Sequence, residues 1–358
     1  MFRLHQSKGM TLVEMMIAIG ITSVVMTMSI SIFIGQFKSY HRGKNVKEAQ
    51  QSGLEVLSLL KSDMMEAGWS VSPRMAFYFV DGGTVDGSDT IVLNDTSLIS
   101  LSNNPNARFL VLASDYPGCV TMNGSGSSSI TVPVLDLNGD LKNDFKPAAR
   151  QYVISDGTVG SQKIGRITTI AGTTLSLDSS LTGTMVAPGI LYCVDEPTNV
   201  ACRDGNDDAP GYSLHRSDRS SGGRQPLAEN VADLQVAYKD DNDGACSINA
   251  TQAACDAADG CGWLNGQCTG YWYGKAGCAG QGTGAGFCTR DPFDPTRIGL
   301  IRLTVVTRSS QQVDGAQTNP NYCRPAVENR TGAPGVLADC GFLYRTYSAL
   351  IQPRSNKE

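Results

Sequence analysis

The chain has 358 residues, of which 41% are hydrophobic, and its formal net charge at pH 7 is −5. A chain of this size can hold one large domain or two modest ones. The mildly acidic balance, without blocks of basic residues, argues against nucleic acid as the main partner, because phosphate binding requires clustered lysine and arginine.

The N-terminal region begins with residues 1–9, a short basic leader that we expect to stay in the cytoplasm. No charged side chain occurs from Met15 to Phe37, and a helix over this run would measure about 35 Å. The hydrocarbon core of a bilayer is about 30 Å thick. The run therefore predicts a membrane span, and it is too long for the apolar region of an ordinary secretory signal peptide.

A single carboxylate, Glu14, stands at the head of the apolar run. A charge in the middle of a membrane helix costs about 2.5–3.5 kcal/mol on insertion scales, so this acid calls for a functional reason. The string Gly-Met-Thr-Leu-Val-Glu, from Gly9 to Glu14, followed by the apolar run, resembles the N-terminal signal of type IV prepilins and type II secretion pseudopilins. A plain signal anchor would explain the length of the run but not the pairing of Gly9 with Glu14.

The resemblance implies processing and assembly roles for three residues. A prepilin peptidase on the cytoplasmic side would cut between Gly9 and Met10 and methylate Met10 as the new N-terminus. Glu14 would act in filament assembly, where a carboxylate buried among apolar helices can pair with the amino terminus of a neighbouring subunit. The partners implied are therefore the peptidase, the inner membrane, and other minor and major pilins.

The helix is expected to continue beyond the membrane, because no proline occurs before Pro73 and apolar residues recur at helical spacing over residues 44–65. We predict one helix from Met10 to about Ala67, with a transmembrane half (10–37) and an amphipathic half (38–67), and Gly68 as its C-cap. The predicted apolar face of the second half consists of Val46, Gly53, Leu54, Leu57, Leu60 and Met64.

Residues 68–358 are predicted to form a β-rich domain, because short apolar runs alternate there with glycine, asparagine, aspartate and proline. The predicted strands are 75–80, 90–93, 109–113, 130–135, 151–154, 164–170, 173–177, 190–194, 297–308 and 342–351. The run 227–238 resembles a segment of the large minor pilins of the PilW type that leads into a strand. The predicted fold class is α+β and pilin-like, with the long N-terminal helix packed on this domain.

All eleven cysteines lie beyond residue 118. This distribution is expected of a domain that matures in an oxidising compartment, which places the C-terminal domain in the periplasm or outside the cell. The charges flanking the span leave its orientation ambiguous. We therefore expect a single-pass inner-membrane protein that later enters an extracellular pilus.

A cysteine-rich insertion spans residues 244–292. A zinc site is disfavoured there, because no C-x-x-C spacing and no histidine occur in it, and disulfide staples are favoured. The pairing among its six cysteines stays open: Cys246, Cys255, Cys261, Cys268, Cys278 and Cys288. Proximity in the chain suggests two further pairs, Cys193 with Cys202 and Cys323 with Cys340. The count is odd, and Cys119 is the candidate for the unpaired residue.

One polar segment has the residue spacing of a possible calcium-binding loop. Asp136, Asn138, Asp140 and Asp144 occupy positions 1, 3, 5 and 9 of a possible calcium loop, and calcium binds several oxygen ligands. Leu141 stands at position 6, where an EF-hand has glycine, and position 12 is not an acid. A solvated turn of aspartate and asparagine is the alternative.

We predict no enzymatic activity. The histidines are His5, His41 and His215, so a nucleophile–histidine arrangement would depend on His215 alone. The predicted function is that of a minor pilin that helps to initiate a type IV pilus, with a position at the tip. The alternatives are a large minor pseudopilin of a type II secretion system and a pilus-tip adhesin, either with or without a requirement for calcium.

Overall fold

The computed structural model describes most of the chain, and the statements below concern those residues. They are residues 11–69, 71–80, 87–94, 118–137, 143–145, 151–157, 163–195, 202, 212–217, 224–240, 251–256, 261–264, 267–270, 272–273, 295–313, 316–328 and 340–353. The chain divides into two compact units, Met1–Glu48 and Ala49–Glu358.

The N-terminal helix α1 runs from Leu12 to Glu66 without interruption. It contains no proline, which would remove a backbone hydrogen bond and clash with the preceding turn. At its C-terminal end Gly68 has a φ of +88°, in the left-handed region that glycine adopts without steric cost. The Asn94 side chain accepts a hydrogen bond from Gly68 N at 2.7 Å and donates one to Trp69 O at 3.3 Å. The long predicted helix is confirmed, and it ends next to the predicted C-cap.

The second half of α1 buries one narrow face in the domain. The buried residues of the helix follow the 3.6-residue period: Ala49, Gly53, Val56, Leu60 and Met64. The predicted face was wrong at Leu54, which is 59% exposed. Leu54 follows Gly53 directly and is therefore turned about 100° around the helix axis, away from the buried line.

The first sheet has ten strands in the part of the chain that the structure describes. They are β1 (Phe77–Val80), β2 (Thr90–Asn94), β3 (Val120–Thr121), β4 (Ser127–Thr131), β5 (Tyr152–Ser155), β6 (Ile164–Ala171), β7 (Thr174–Leu181), β8 (Met185–Val194), β9 (Ser213–Ser217) and β10 (Arg224–Glu229). The order of the main path is β1-β2-β8-β5-β6-β7-β4, with β3 and β9 also paired to β8 and β10 paired to β9. All these pairs are antiparallel.

The strands of the second sheet are β11 (Val231–Asp240), β14 (Trp272–Tyr273), β15 (Ile298–Arg308) and β16 (Tyr344–Ile351). Their order in the sheet is β14-β11-β15-β16. Separately, β12 (Cys261–Leu264) pairs with β13 (Gln267–Gly270). A short helix α2 spans Gln252–Asp256, and three 3-10 turns span Pro73–Met75, Pro295–Arg297 and Pro320–Tyr322.

Several predicted strands differ from the observed ones. The predicted strand 130–135 ends at Thr131 and begins earlier, at Ser127, and Pro133 lacks the N–H that a ladder needs. The run 227–238 is divided between β10 and β11 at Asn230, which has a φ of +63°. The predicted strand 109–113 lies outside the described residues. The predicted α+β class, a long N-terminal helix with a β-rich domain, is confirmed.

The main core lies where the second half of α1 meets both sheets. Leu60 and Met64 of the helix are fully buried together with Leu93 and Tyr192 of the first sheet and Leu303 of the second. One core therefore unites the helix end and the two sheets, and burial of apolar side chains is its main source of stability.

A polar contact fixes the helix against the first sheet at the edge of this core. The Tyr192 hydroxyl donates a hydrogen bond to the Asp63 carboxylate. Arg216 Nη2 lies 3.6 Å from Asp63 Oδ2, and the guanidinium of Arg216 stands 5.7 Å from the centre of the Tyr192 ring. These contacts specify the rotation of the helix about its axis, since Asp63 reaches Tyr192 and Arg216 only when its face of the helix is turned toward the first sheet.

Gly53 is the point of closest approach between α1 and the second sheet. A Cβ built on Gly53 would overlap the ring of Tyr347 and lie 3.2 Å from Thr307 Cγ2. Position 53 therefore requires glycine for close packing, whereas Gly43, earlier in the same helix, has no atom within 4 Å of the same point.

Candidate functional site

The candidate site is the start of α1. Gly9 and Met10 lie outside the described residues, so processing between them stays a prediction. Thr11 precedes the helix, and its backbone N–H and its hydroxyl each donate a hydrogen bond to Glu14 Oε2 at 2.9 Å. Glu14 N in turn donates to Thr11 Oγ1 at 3.3 Å.

This reciprocal pairing of Thr11 and Glu14 is a capping box. It satisfies backbone donors that would otherwise have no partner at a helix N-terminus, and the negative charge also suits the positive end of the helix dipole. The signal for it is present in the sequence as Thr-x-x-Glu before an apolar run. The sequence interpretation assigned Glu14 an intermolecular role and missed the part played by Thr11.

The first half of α1 presents an apolar surface on all sides. Every residue from Leu12 to Phe37 is exposed. The large hydrophobic side chains among them are Leu12, Val13, Met15, Met16, Ile17, Ile19, Ile21, Val24, Val25, Met26, Met28, Ile30, Ile32, Phe33, Ile34 and Phe37. By length and composition α1 is long and apolar enough to cross a membrane. A surface of this kind is stable in an apolar environment, because the transfer of apolar side chains out of water lowers the free energy.

The hydroxyl groups within this apolar half are satisfied inside the helix. Each donates a hydrogen bond of 2.7–2.9 Å to the backbone carbonyl four residues earlier: Thr22, Ser23, Thr27, Ser29 and Ser31. An unsatisfied polar group costs several kcal/mol in hydrocarbon. These side chains therefore enter an apolar environment without leaving a donor unpaired.

The described disulfides join Cys193 to Cys202, Cys255 to Cys268 and Cys323 to Cys340. The first and third are the pairs that proximity in the chain suggests, and the second lies in the cysteine-rich insertion. The side chains of Cys246, Cys261, Cys278 and Cys288 are outside the described part of the structure.

Cys119 is buried and is not part of a disulfide. It belongs to the same apolar cluster as the disulfide between Cys193 and Cys202. Burial raises the pKa of the Cys119 thiol to about 12. The thiol therefore stays protonated at neutral pH, where it is a poor nucleophile.

The predicted calcium residues are only partly described. Asn138 and Asp140 lie outside the described residues. Asp144 is buried, and its Oδ2 accepts a hydrogen bond from Leu137 N at 2.7 Å. No cluster of three potential metal ligands occurs among the described residues, and calcium binding stays a prediction.

His215, on which any catalytic arrangement would depend, lies within the first sheet. Its Nε2 is 2.7 Å from Ser213 Oγ, and its backbone is in register with Cys193 on one side and Pro226 on the other. Both residues belong to β9, so the contact joins neighbouring side chains on one face of a single strand.

Comparison with known proteins adds one firm match. The family model of the prokaryotic N-terminal methylation motif matches residues 4–30. No curated protein matches the chain. Among solved structures, the chain is similar to a type IV-like pilin from Thermus thermophilus, with 12% sequence identity, coverage of 58% of this chain and 85% of that chain, and a TM-score of 0.19. A likeness at that TM-score carries no argument about fold or function.

The chain therefore carries an N-terminal methylation motif at the head of an exposed apolar helix. The class that these two features support is a type IV pilin-type structural subunit anchored in a membrane by its N-terminal helix.

Proposed function

We propose that this protein is a minor pilin of the PilW type. It is made as a prepilin in the inner membrane, with its C-terminal domain in the periplasm. It is then cut between Gly9 and Met10, methylated on Met10, and incorporated at the tip of a type IV pilus, where it helps to start assembly.

The observation that carries this proposal is the exposed apolar half of α1 with one acid at its start. Sixteen large hydrophobic side chains between Leu12 and Phe37 are exposed, and Glu14 is the acid of the first turn. In a filament, neighbouring helices would cover this surface, and Glu14 would leave Thr11 to pair with the amino terminus of the adjacent subunit.

A minor role at the tip is favoured by the size of the C-terminal domain. The predicted domain extends from residue 68 to residue 358 and carries a cysteine-rich insertion. Such a bulky domain would crowd a uniform filament, whereas a terminal position leaves room for it.

Processing is tested by mass spectrometry of the protein recovered from cells. We expect a mature chain that begins at Met10 and carries one added methyl group on its amino terminus. A mature chain that retains residues 1–9 would contradict the proposal.

The role of Glu14 is tested by Glu14→Ala in cells that assemble pili. Removing one partner of a buried ion pair costs about 3–5 kcal/mol, so incorporation into sheared filaments should fall by about a hundredfold or more. Glu55→Ala is the matched control, because Glu55 is an exposed acid on the same helix, and it should leave incorporation unchanged. Equal incorporation of the Glu14→Ala and native proteins would overturn the assignment.

Two alternative functions share the same N-terminal chemistry. A large minor pseudopilin would be needed for type II secretion, so its deletion would stop secretion while pili form normally. A tip adhesin would bind its target through the cysteine-rich insertion. Deletion of residues 246–288 would then abolish attachment of the cells while pili still form, and for a calcium-dependent adhesin the attachment that is lost is the one that requires calcium. Loss of piliation in either deletion supports the assembly role.

A further inference from the structure

Arg308, the last residue of β15, is held in place by its backbone. Its N–H donates a hydrogen bond of 2.9 Å to Asn230 O. On the β16 side, its backbone is in register with Tyr344. The side chain of Arg308 therefore starts from a well-defined point at the end of the second sheet.

Two aromatic rings lie against the guanidinium group of Arg308. Its Cζ is 3.6 Å from the centre of the Tyr212 ring and 4.4 Å from the centre of the Phe342 ring. A cation is attracted to the face of an aromatic ring by the ring quadrupole. The N–H donors lie in the plane of the guanidinium, so contacts with its faces do not satisfy them. Tyr212 and Phe342 are here called the clamp, because they hold the plane of this group.

The hydrogen-bonding capacity of this guanidinium is unused within the described part of the chain. Its Nε is buried and has no hydrogen-bond partner there. Its Nη1 and Nη2 make no hydrogen bond or ion pair with a described residue either, and they are not buried. Arg302, on the same strand, differs, because its Nε and Nη2 donate to the two carboxylate oxygens of Glu328 at 2.7 and 2.6 Å. Among the described residues, β15 thus has one arginine that binds a carboxylate and one that binds none.

The ring of Tyr212 is positioned by a strained backbone. Tyr212 has a φ of +47°, in the left-handed region that a bulky residue rarely adopts. Its N–H donates to Asp195 O at 3.0 Å, and its C=O accepts from Val231 N at 2.8 Å. Asp195 directly follows β8 and Val231 begins β11, so both sheets hold this residue. Strain of this kind persists where the surrounding structure fixes the backbone, and it concentrates at functional sites such as ligand clamps.

The open end of the guanidinium fits a carboxylate. Nη1 and Nη2 present parallel N–H groups that match the two carboxylate oxygens, and such charged pairs are stronger than hydrogen bonds between neutral groups. Phosphate oxygens can accept from the same fork. The clamp favours a carboxylate on an aliphatic stem, because the two rings offer apolar surface to methylene groups, whereas inorganic phosphate has no apolar atoms.

We propose that Arg308 and its clamp bind the side-chain carboxylate of a glutamate or aspartate in an acidic segment of a partner protein. Nη1 and Nη2 each donate a hydrogen bond to one carboxylate oxygen, and Tyr212 and Phe342 contact the methylene groups next to it. The site belongs to the C-terminal domain, and this binding does not require α1 to enter a pilus.

The first experiment follows the Nε–Hε signals of arginine by NMR in the full chain, with isotope-labelled arginine, in detergent micelles at neutral pH. Burial protects the Arg308 Hε proton from exchange with water, and its signal is assigned by its absence from the variant Arg308→Lys. N-acetylglutamic acid α-amide, which carries one side-chain carboxylate, should shift this signal to saturation with a Kd on the order of 1 mM. N-acetylglutamine α-amide, its neutral counterpart, should leave the signal in place.

Inorganic phosphate is the second anion in this experiment. The glutamate probe should bind more tightly than phosphate, and equal or tighter binding of phosphate would overturn the assignment to a carboxylate on an aliphatic stem. Absence of a shift with either anion would overturn the site. In Arg308→Lys no arginine signal should respond to the glutamate probe, and a response there would place the binding at another arginine and overturn the assignment as well.

The second experiment removes the rings of the clamp one at a time, with the Arg308 Cζ signal as the reporter because this carbon carries no exchangeable proton. Phe342→Leu keeps an apolar side chain at a buried position. Tyr212→Gly keeps the backbone, since glycine adopts a positive φ without strain. We expect each variant to raise the Kd of the glutamate probe by about five- to tenfold, because the guanidinium loses a contact that holds its plane. Unchanged binding in both variants would overturn the role of the clamp.

Arg302→Lys is the matched control for these variants. Arg302 lies on the same strand as Arg308, but its guanidinium already binds the carboxylate of Glu328. We therefore expect the Kd of the glutamate probe to stay unchanged in Arg302→Lys. A Kd raised as much as in the clamp variants would overturn the assignment of the site to Arg308.

Discussion

The two halves of α1 share one secondary structure and have opposite surroundings. Residues 12–37 are exposed on every side and apolar, whereas Ala49–Glu358 forms a unit in which five helix residues are buried. The second half finds its partners within its own chain, in both sheets. The first half finds none among the described residues, and an exposed apolar surface of this kind is stabilised by an apolar environment.

Among the predicted changes in unfolding free energy, the largest is expected at Leu60, in the buried half of α1. Leu60→Ala removes a fully buried side chain and should lower the free energy of unfolding by about 2–5 kcal/mol. Leu54→Ala, at an exposed leucine of the same helix, should change it by less than about 0.5 kcal/mol. Urea denaturation of the full chain in micelles, followed by tryptophan fluorescence, measures both, and equal losses would refute the assigned face.

Replacement by alanine is expected to change stability in opposite directions at Gly53 and at Gly43. Gly53→Ala forces a Cβ into the ring of Tyr347 and should cost about 1–3 kcal/mol through overpacking. Gly43→Ala meets open space and should stabilise the helix by up to about 1 kcal/mol, since alanine has the higher helix propensity. Thermal melts of the two variants, made side by side, test the close approach. A stabilised Gly53→Ala protein would show that the helix and β16 can separate freely.

A smaller loss is expected for Asp63→Asn. This change weakens the hydrogen bond from Tyr192 and removes the charge facing Arg216. Because the side chains of Asp63 and Arg216 are partly exposed, we expect the free energy of unfolding to fall by about 1 kcal/mol. Glu55→Gln is the control, because its carboxylate is exposed and accepts from Gln51 on the same helix. A difference between the two variants below about 0.3 kcal/mol would argue that the polar contact does not hold the helix.

The smallest effect is expected in the apolar half. Val25→Ala removes apolar surface that touches no other element of the described chain, and it should change the unfolding free energy of the C-terminal domain by less than about 0.5 kcal/mol. Urea denaturation monitored by the domain's fluorescence provides the measurement. A loss above about 1 kcal/mol would break the comparison, because it would show that this half supports the domain directly.

The sequence predicts the helix well and its packing less well. The uncharged run and the absence of proline before Pro73 predict the length of α1, and Gly68 marks its end. The predicted face included Gly53, Leu60 and Met64, which are buried, and it was wrong at Leu54, because hydropathy favours a leucine whatever its direction around the helix. The observed face depends on the ring of Tyr347, a partner far along the chain that no local pattern reveals.

The strands show the same limit. β15 was predicted from its valine, leucine and isoleucine residues as a half-buried strand, whereas residues 303–307 are all buried in the structure. β9, Ser213–Ser217, was not predicted, because Ser-Leu-His-Arg-Ser carries little apolar signal and forms a strand through its pairing with β8 and β10. Likewise, the capping box at Thr11 is visible in four residues, whereas the contact of Tyr212 with Arg308 is a tertiary contact that the sequence does not encode locally.

The side chain of Asn94 has a mechanical consequence. It holds both the N–H of Gly68 and the C=O of Trp69 while its own backbone N–H reaches Ala76 O. The Asn94 side chain thus joins the end of α1 to β2, and β2 has four backbone pairings with β8. Tension on the last turn of the helix would be transmitted to β2 through this amide as well as through the core contacts of Leu60 and Met64.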